Sequence, residues 1–93
     1  MIIGSCKVYM NAPFSHSLKE KRMVIKSLIQ KVRNKYNVSI AEVEDQDLHQ
    51  SIVIGIVAVS TTTSHANSIV QNVVNYIEEI SEADVIDSYI EII

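Results

Sequence analysis

Cysteine, proline, glycine and aromatic residues are all scarce in this sequence of 93 residues, which has one Cys, one Pro, two Gly and no Trp. A single cysteine, Cys6, excludes a disulfide framework and the paired cysteines of a structural zinc site. Because Ile2, Val8 and Met10 share its even spacing, we expect Cys6 to be a buried strand residue rather than a catalytic thiol. The chain has no linker, repeat or low-complexity segment, so we expect one domain over residues 1–93.

Long apolar segments are also absent. The longest apolar run, Ile52 to Val59, is much shorter than the ~20 residues that a membrane-spanning helix needs. The first ten residues contain neither the basic region nor the cleavage motif of a signal peptide. With 47% hydrophobic and 20% charged residues, the composition is that of a soluble globular domain, and we expect a cytoplasmic protein.

Positive charge is absent after Lys35. Seven of the eight basic residues lie between His16 and Asn37, and only Lys7 lies outside that segment. Residues 1–41 have eight basic residues and one acid, which gives a net charge of +7, whereas residues 42–93 have ten acids and a net charge of −10. This separation of charge affects how the protein associates with charged partners and how fast it encounters them, and it does not determine the fold.

Four segments have the hydrophobic pattern of strands. They are residues 2–10, 38–44, 51–60 and 84–93. In the last of these, Ile86, Ile90 and Ile92 share one parity, so we expect them to alternate onto the same face of the sheet.

Two further segments have the apolar spacing of amphipathic helices. The first is predicted over residues 18–35 and begins with a capping box, in which Ser17 accepts a helix amide and Glu20 reaches back to the cap. The second continues to Ile80 and has Thr63 or Ser64 as its N-cap. The resulting order β-α-β-β-α-β predicts an α+β, ferredoxin-like sandwich, with the first and third strands central in a four-stranded antiparallel sheet and both helices on one face.

Four motifs carry a resemblance to a known family. They are "MIIG" at the start, "SLKEKR" at the first helix, "NVSIAEVEDQDLHQ" and "GIVAVS". At these motifs the sequence resembles the YlxP-like family of small bacterial proteins of unknown function, and it departs from the family pattern at His16 and His49. The resemblance implies a ferredoxin-like fold and a bacterial cytosolic protein. Genes of this family often lie beside those for translation initiation factor two and ribosome-binding factor A, which implies a role near the ribosome.

The first predicted helix carries a basic stripe, defined here as Lys19, Arg22, Lys26 and Arg33. At 100° per residue these four side chains fall within about 60° of one another. Three further lysines are predicted on the other flank of the apolar face, where they would add positive field: Lys21, Lys31 and Lys35. The stripe could dock phosphates of ribosomal RNA or contact an acidic protein, or it could be a solvated helix face. Because Glu20 is the only acid on this helix, an external negative partner is a real alternative to simple solvation.

The uncovered face of the sheet is the second predicted contact surface. If Gly4 and Gly55 mark close approach of the helices, the helix side of the third strand holds Val53, Val57 and Val59. The open side would then hold an apolar interface for a second copy or another partner, formed by Tyr9, Ile52, Ile54, Ile56 and Tyr89. Alternatively, Lys7, Tyr9 and Tyr89 cover this face themselves. The shortage of aromatic residues in the central strands argues against base stacking on it.

The sequence gives only weak signals for a metal site or for an enzyme active site. The turn between the second and third strands gathers carboxylates and a histidine: Glu42, Glu44, Asp45, Asp47 and His49. This turn lacks the glycine and ligand spacing of a calcium loop, so we expect a solvated hairpin and no metal. The loop after the first strand, "NAPFSHS", lacks the Gly and Arg with which acylphosphatases of this fold hold phosphate. The better candidate for a small-anion site is "STTTSH" before the second helix, and a further alternative, a small-ligand or phosphate-hydrolysing enzyme, would lose its activity on changing His65 or Thr63.

We therefore expect a small non-catalytic binding module without cofactor, membrane contact or small-molecule substrate. Its predicted partners are ribosomal RNA or a ribosomal protein, bound through Lys19, Arg22, Lys26 and Arg33. The alternative is a protein–protein or homodimerisation module that acts through the open face of the sheet and does not contact nucleic acid.

Overall fold

A computed structural model describes all residues, 1–93, and has the predicted order of elements. The elements are β1 (Ile2–Asn11), α1 (Leu18–Lys35), β2 (Ser39–Glu44), β3 (Ser51–Ser60), α2 (Thr63–Ile80) and β4 (Asp84–Ile92). The four strands form one antiparallel sheet in the order β2-β3-β1-β4. This arrangement confirms the ferredoxin-like fold, with β1 and β3 central and β2 and β4 at the edges. Neither helix is long and apolar enough to cross a membrane.

Both helices begin with a hydroxyl cap. Ser17 Oγ accepts the Glu20 N–H at 3.1 Å, as the capping box predicts. Glu20 Oε2 accepts the N–H of His16 at 3.2 Å, one residue before the cap. In α2 the cap is Thr62, whose hydroxyl accepts the His65 N–H at 3.2 Å, so the prediction of Thr63 or Ser64 is wrong. Three consecutive threonines offer the same capping chemistry, and the sequence does not distinguish among them.

The core lies between the helices and the even-numbered side of β1 and β3. From β1 it includes Cys6, Val8 and Met10, and the burial of Cys6 is as predicted. These residues pack with apolar residues from three other elements: Ile25, Leu28, Val32, Ile52, Ile54, Ile56, Val70, Val73 and Ile77. The helices thus cover one face of the sheet, and the other face remains open.

The predicted orientation of β3 is wrong. Ile52, Ile54 and Ile56 are each at most 1% exposed and face the helices, so they do not line an open interface. Within β3, the exposed valines on the open face are Val57 and Val59. Val53 shares their parity and lies opposite Tyr9 in β1, but its neighbours leave it only 1% exposed.

The error has a specific origin in the two glycines. A Cβ on Gly4 would lie 3.0 Å from the carbonyl oxygen of Ala66 in α2, so Gly4 does mark the approach of a helix. A Cβ on Gly55 would lie 2.8 Å from Cγ1 of Val43 in β2. Gly55 is therefore covered by a side chain on the open face, and the two glycines mark opposite sides of the sheet.

Two irregularities in pairing modify the edge strands. The register of β2 against β3 shifts between Glu42 and Glu44, and that of β4 against β1 shifts opposite Tyr9 and Met10. The second shift leaves Ile86 unpaired and 67% exposed, so it does not join Ile90 and Ile92 on the half-buried face as predicted.

Candidate functional site

Three members of the basic stripe are exposed and have no acidic partner. Lys19, Arg22 and Lys26 project from the first three turns of α1 into solvent. The protein contains two ion pairs, and neither involves these residues. The structure thus brings the predicted side chains together on one exposed face, with their full positive charge available to a partner.

The fourth member of the stripe has a contact within the protein. Arg33 is exposed, but its Nη2 donates a hydrogen bond to the carbonyl oxygen of Ile40 in β2 at 3.2 Å. This bond holds the guanidinium beside the edge of the sheet and leaves its other N–H groups free. Arg33 therefore connects the stripe to the fold as well as extending it.

Lys21 is not on the exposed flank of α1, where the sequence interpretation placed it. Its side chain is 1% exposed, among the most buried in the protein. On the helical wheel Lys21 lies about 20° from both Leu28 and Val32, in the middle of the apolar face. A stricter use of the same helical angle would have identified this lysine as buried.

The ammonium of Lys21 has three oxygen partners. Nζ donates to the carbonyl oxygens of Asp45 and Leu48, each at 2.6 Å, and lies 2.8 Å from Glu42 Oε2. The buried ammonium thus has two hydrogen-bond acceptors in the backbone, and its charge is balanced by the Glu42 carboxylate. Apart from this ion pair, the buried Glu42 Oε2 has no aligned hydrogen-bond donor.

This contact joins the segment "SLKEKR" to the segment "EVEDQDLHQ". Lys21 belongs to the former, and Glu42, Asp45 and Leu48 belong to the latter. Asp45 adopts a positive φ of 59°, and its carbonyl oxygen also accepts the N–H of Leu48. Lys21 thus holds this turn, which contains the left-handed residue Asp45, against the first turn of α1. We call this arrangement the lysine clamp.

A second set of hydrogen bonds joins the same turn to the loop before α1. Gln50 Nε2 donates to the carbonyl oxygens of Pro13 and Ser15, both at 3.2 Å. The carbonyl oxygen of Gln50 accepts the N–H of Ala12 at 2.8 Å. The β2–β3 turn is therefore bonded both to α1, through the lysine clamp, and to the loop before α1, through Gln50.

The acidic side chains of the turn point in different directions. Glu42 faces α1, whereas Glu44 faces the open side and lies 2.7 Å from Lys7 Nζ. Asp45 Oδ2 accepts the hydroxyl of Ser51 at 2.7 Å. No group of three or more His, Cys, Asp or Glu side chains converges so that it could hold a metal ion. The hydrogen bond to Glu44, together with its charge, raises the pKa of Lys7.

Tyr9 and Tyr89 lie on the open face, as predicted. Their rings meet edge to face, with centroids 5.7 Å apart. The hydroxyl of Tyr89 donates to Asp87 Oδ2 at 2.8 Å, and this bond raises the pKa of Tyr89. Because Asp87, Glu91 and Glu44 surround these rings on the paired strands, the open face is a poor surface for a phosphate backbone.

The start of α2 holds a local capping network. Ser60 Oγ lies 2.7 Å from His65 Nδ1, and the same hydroxyl accepts the N–H of Thr62 at 3.3 Å. Thr63 begins the helix and is exposed. These contacts satisfy groups at the helix terminus.

The sequence interpretation missed one groove. It has a volume of about 420 Å³ and lies between the first half of α1 and the end of α2. Its apolar lining includes Phe14, Met23 and Ile80, with Glu20, Lys31 and Glu82 at the rim. Met23 is a long apolar side chain that is 64% exposed on the surface of α1. An apolar residue outside the apolar face of a predicted helix is the sequence signal that could have indicated this groove.

Comparison with known proteins agrees with the resemblance that the motifs carry. Residues 3–90 match the family model described as "Protein of unknown function (DUF503)". A similar protein is the "Uncharacterized protein YlxP" of Bacillus subtilis (strain 168). The two are 41% identical over 68 residues, which cover 73% of this chain and 74% of the relative. This chain belongs to the DUF503 family, whose members include YlxP-like proteins of unknown function.

Proposed function

We propose that the protein is a non-catalytic binding module that docks on RNA phosphates within a ribosomal or other RNA–protein assembly, through the basic stripe of α1. The observation that carries this proposal is that Lys19, Arg22 and Lys26 are exposed and unpaired in a protein of net negative charge. Ten of the eleven acids lie after residue 41, yet none of them neutralises the stripe. An exposed cluster of one sign is a ready contact for a partner of the opposite sign.

The geometry of the stripe is suited to a phosphate backbone. At a rise of 1.5 Å per residue, Lys19 and Arg33 are separated by about 21 Å along the helix axis. This length allows several phosphates to be contacted in sequence. Lysine and arginine contacts of this kind supply affinity without reading the base sequence.

The lysine clamp supports such a role because it holds the first turns of α1 in place. Lys21 lies between Lys19 and Arg22 along the chain but points inward, so it anchors the helix without belonging to the contact surface. A surface that is held rigidly loses less conformational entropy when it binds.

The direct test is binding to purified ribosomal subunits and to a structured RNA over a range of salt concentrations. We expect saturable binding with a log–log salt slope of roughly −3, as about four phosphate contacts predict. Lys26→Glu should weaken binding by at least about tenfold, because it replaces an attractive charge by a repulsive one.

Lys31→Glu is the matched control. Lys31 is exposed on the opposite flank of α1, and its substitution changes the net charge by the same amount. If both variants lose affinity equally, the stripe is not the contact surface and only net charge matters. If the folded wild type binds neither subunit nor RNA at low salt, the proposal is wrong.

A second candidate function is protein–protein contact through the open face. It is favoured by a row of apolar residues across three strands, in which Val59 pairs with Ile3 and Ile3 with Ile93. Val59 is 62% and Ile93 is 73% exposed. A partner bound there should dissociate on Val59→Lys, a change that leaves the basic stripe and its salt-dependent RNA binding intact.

A further inference from the structure

The two edges of the sheet differ in their protection against pairing with another strand. β2 has only six residues, contains an irregularity at Val43 and receives the Arg33 guanidinium on its Ile40 carbonyl. β4 has nine residues and no Lys, Arg or Pro, the residues that commonly block an edge. The part from Asp87 to Ile92 pairs regularly with β1 and therefore presents a straight free edge.

The backbone groups that β4 directs outward can be identified. Ile93 exchanges two hydrogen bonds with Ile3, at 2.8 and 2.9 Å, so its N–H and C=O face β1. Because these directions alternate in an antiparallel ladder, the groups of Ser88, Ile90 and Ile92 face away from the sheet. Within the protein, only the Ser88 N–H among them has a partner, the Asp87 side chain at 2.8 Å.

We propose that a second copy of this chain pairs with this edge, β4 against β4, about a two-fold axis at Ile90. The two sheets would join into one continuous antiparallel sheet of eight strands. Because such an axis is normal to the sheet, both α1 helices would lie on the same face of the dimer, each at an outer end. The dimer would then present two basic stripes on one side.

The register follows from charge. Directly opposed residues of an antiparallel pair point to the same face of the sheet, and faces alternate along a strand. Two opposed residue numbers must therefore both be odd or both be even, so the two-fold axis passes through a residue and not between two. An axis at Tyr89 would place Asp87 opposite Glu91, and an axis at Glu91 would oppose that carboxylate to itself, both of which are unfavourable. An axis at Ser88 would bring the unpaired Ile86 into the ladder. Of the axes that leave Ile86 outside the ladder, only the one at Ile90 pairs the whole regular segment, Asp87 to Ile92, without placing one acid directly opposite another.

The side-chain pairs in this register are compatible. Ile90 would face its own copy, and Ser88 would face Ile92, on the side covered by the helices. On the open face, Tyr89 would lie opposite Glu91, and Asp87 would lie opposite Ile93. Ile90 and Ile92 are only half-buried in the single chain, and Ile93 is 73% exposed. Pairing would therefore bury apolar surface that is exposed to solvent in the monomer.

The same register predicts an unusual dependence on salt. Glu91 would have Asp87 and Glu91 of the other copy as diagonal neighbours, so four carboxylates would gather across the join. Salt screens this repulsion, and we expect the dimer to become about fivefold tighter between about 0.05 and 0.5 M salt. Phosphate binding by the basic stripe must weaken over the same range, so the two processes are separable.

The test combines mass measurement with cross-linking of the full chain. Light scattering and sedimentation at micromolar concentration should show a dimer that tightens with salt. Ser88→Pro removes an outward N–H, which pairing would transfer from the Asp87 side chain to the other copy, without touching the ladder to β1, and should give a monomer. A Tyr89→Cys/Glu91→Cys variant should form an intermolecular disulfide under mild oxidation, because residues opposed at non-hydrogen-bonded positions lie ~4.5 Å apart.

The matched control places cysteines on the open face of a central strand, as Val57→Cys/Val59→Cys. A monomer at every salt concentration would overturn the proposal, as would a dimer that survives Ser88→Pro and cross-links through the β3 cysteines. Because the Cys variants at 89 and 91 change only exposed side chains, they report on pairing even if Ser88→Pro does not fold. RNA binding by wild-type monomer would show that the basic stripe functions without the dimer.

Discussion

Lys21 Nζ lies 2.8 Å from Glu42 Oε2, and this pair joins the buried face of α1 to β2 at the point where the chain turns into β3. Lys21 is 1% exposed, and its two hydrogen bonds go to the backbone of that turn. Lys21 lies in a helix with the composition of a basic surface helix, yet it is buried and stabilises the fold. Helix α1 thus contains one buried, structural lysine and several exposed ones, and mutations can distinguish their effects.

Replacing Lys21 should destabilise the fold strongly. Lys21→Met keeps the length of the side chain but leaves the Glu42 carboxylate and two carbonyl oxygens without their donor. Breaking a buried ion pair from one side costs about 3–5 kcal/mol. We expect a loss of this size in the free energy of unfolding, measured by urea denaturation.

Two comparisons make this prediction specific to the lysine clamp. Lys31→Met, on an exposed position of the same helix, should change stability by no more than about 0.5 kcal/mol. Lys21→Met combined with Glu42→Gln should recover part of the loss, because no unpaired charge remains buried. Equal effects of Lys21→Met and Lys31→Met would show that the clamp does not contribute to stability.

The two glycines of the central strands should respond differently to alanine. The Cβ of Gly4→Ala would meet the backbone carbonyl of Ala66 at 3.0 Å, which cannot move without shifting α2. The Cβ of Gly55→Ala would meet the Val43 side chain at 2.8 Å, and Val43 lies on an exposed edge strand. We expect each to destabilise by about 1–3 kcal/mol, with Gly4→Ala the more costly.

A double variant tests the cause at Gly55. Val43→Ala removes the methyl group that the new Cβ would meet, so Gly55→Ala should cost much less in that background. No equivalent side-chain change should rescue Gly4→Ala, because its obstacle is backbone. If Val43→Ala leaves the cost of Gly55→Ala unchanged, the contact is not its cause.

The order of the elements and the extent of α1 and β3 could be predicted from the sequence because they depend on local patterns. The face that β3 presents could not, because "IVIGIVAV" is apolar at both parities and lacks an internal signal of orientation. That face is set by the pairing of Ile54 with Val8 and of Ile56 with Cys6, contacts that depend on register. A glycine indicates that something approaches closely but does not say from which side.

The candidate site was predictable to a similar degree. Lys19, Arg22 and Lys26 could be grouped because helical angle alone places them together. The contact of Arg33 with Ile40 depends on where β2 lies and has no signature in the sequence. Lys21 did have a signature, its central position on the apolar face, although its charge favours an exposed position.

Burial of Cys6 should make the stability of the protein fall at alkaline pH. Desolvation raises the pKa of this thiol above its ordinary value of 9.0, because the interior disfavours the thiolate. The unfolded chain therefore releases its proton at lower pH than the folded one. Stability from this group is complete below pH 9 and is lost as the pH rises toward the pKa of the folded state.

Cys6→Ala is the control for this pH dependence. It should lower stability at neutral pH through lost packing but should flatten the decline above pH 9, as measured by urea denaturation at several pH values. In the folded wild type, Cys6 should react slowly with a thiol reagent at pH 8 and rapidly after unfolding in urea. Rapid reaction in the folded state would contradict the burial of this side chain.

Arg33 and Lys26 should contribute unequally to RNA binding although both belong to the basic stripe. Lys26 is exposed without a partner, so Lys26→Ala should reduce the magnitude of the log–log salt slope by about 1. Arg33 already donates to the Ile40 carbonyl, so part of its hydrogen-bonding capacity is used within the protein. We therefore expect Arg33→Ala to change the salt slope less and to lower stability by about 0.5–1.5 kcal/mol.

Lys26→Ala is the control for this comparison and should leave the free energy of unfolding unchanged. An Arg33→Ala variant of full stability, with as large a change in slope as Lys26→Ala, would mean that Arg33 leaves the edge of β2 when RNA binds.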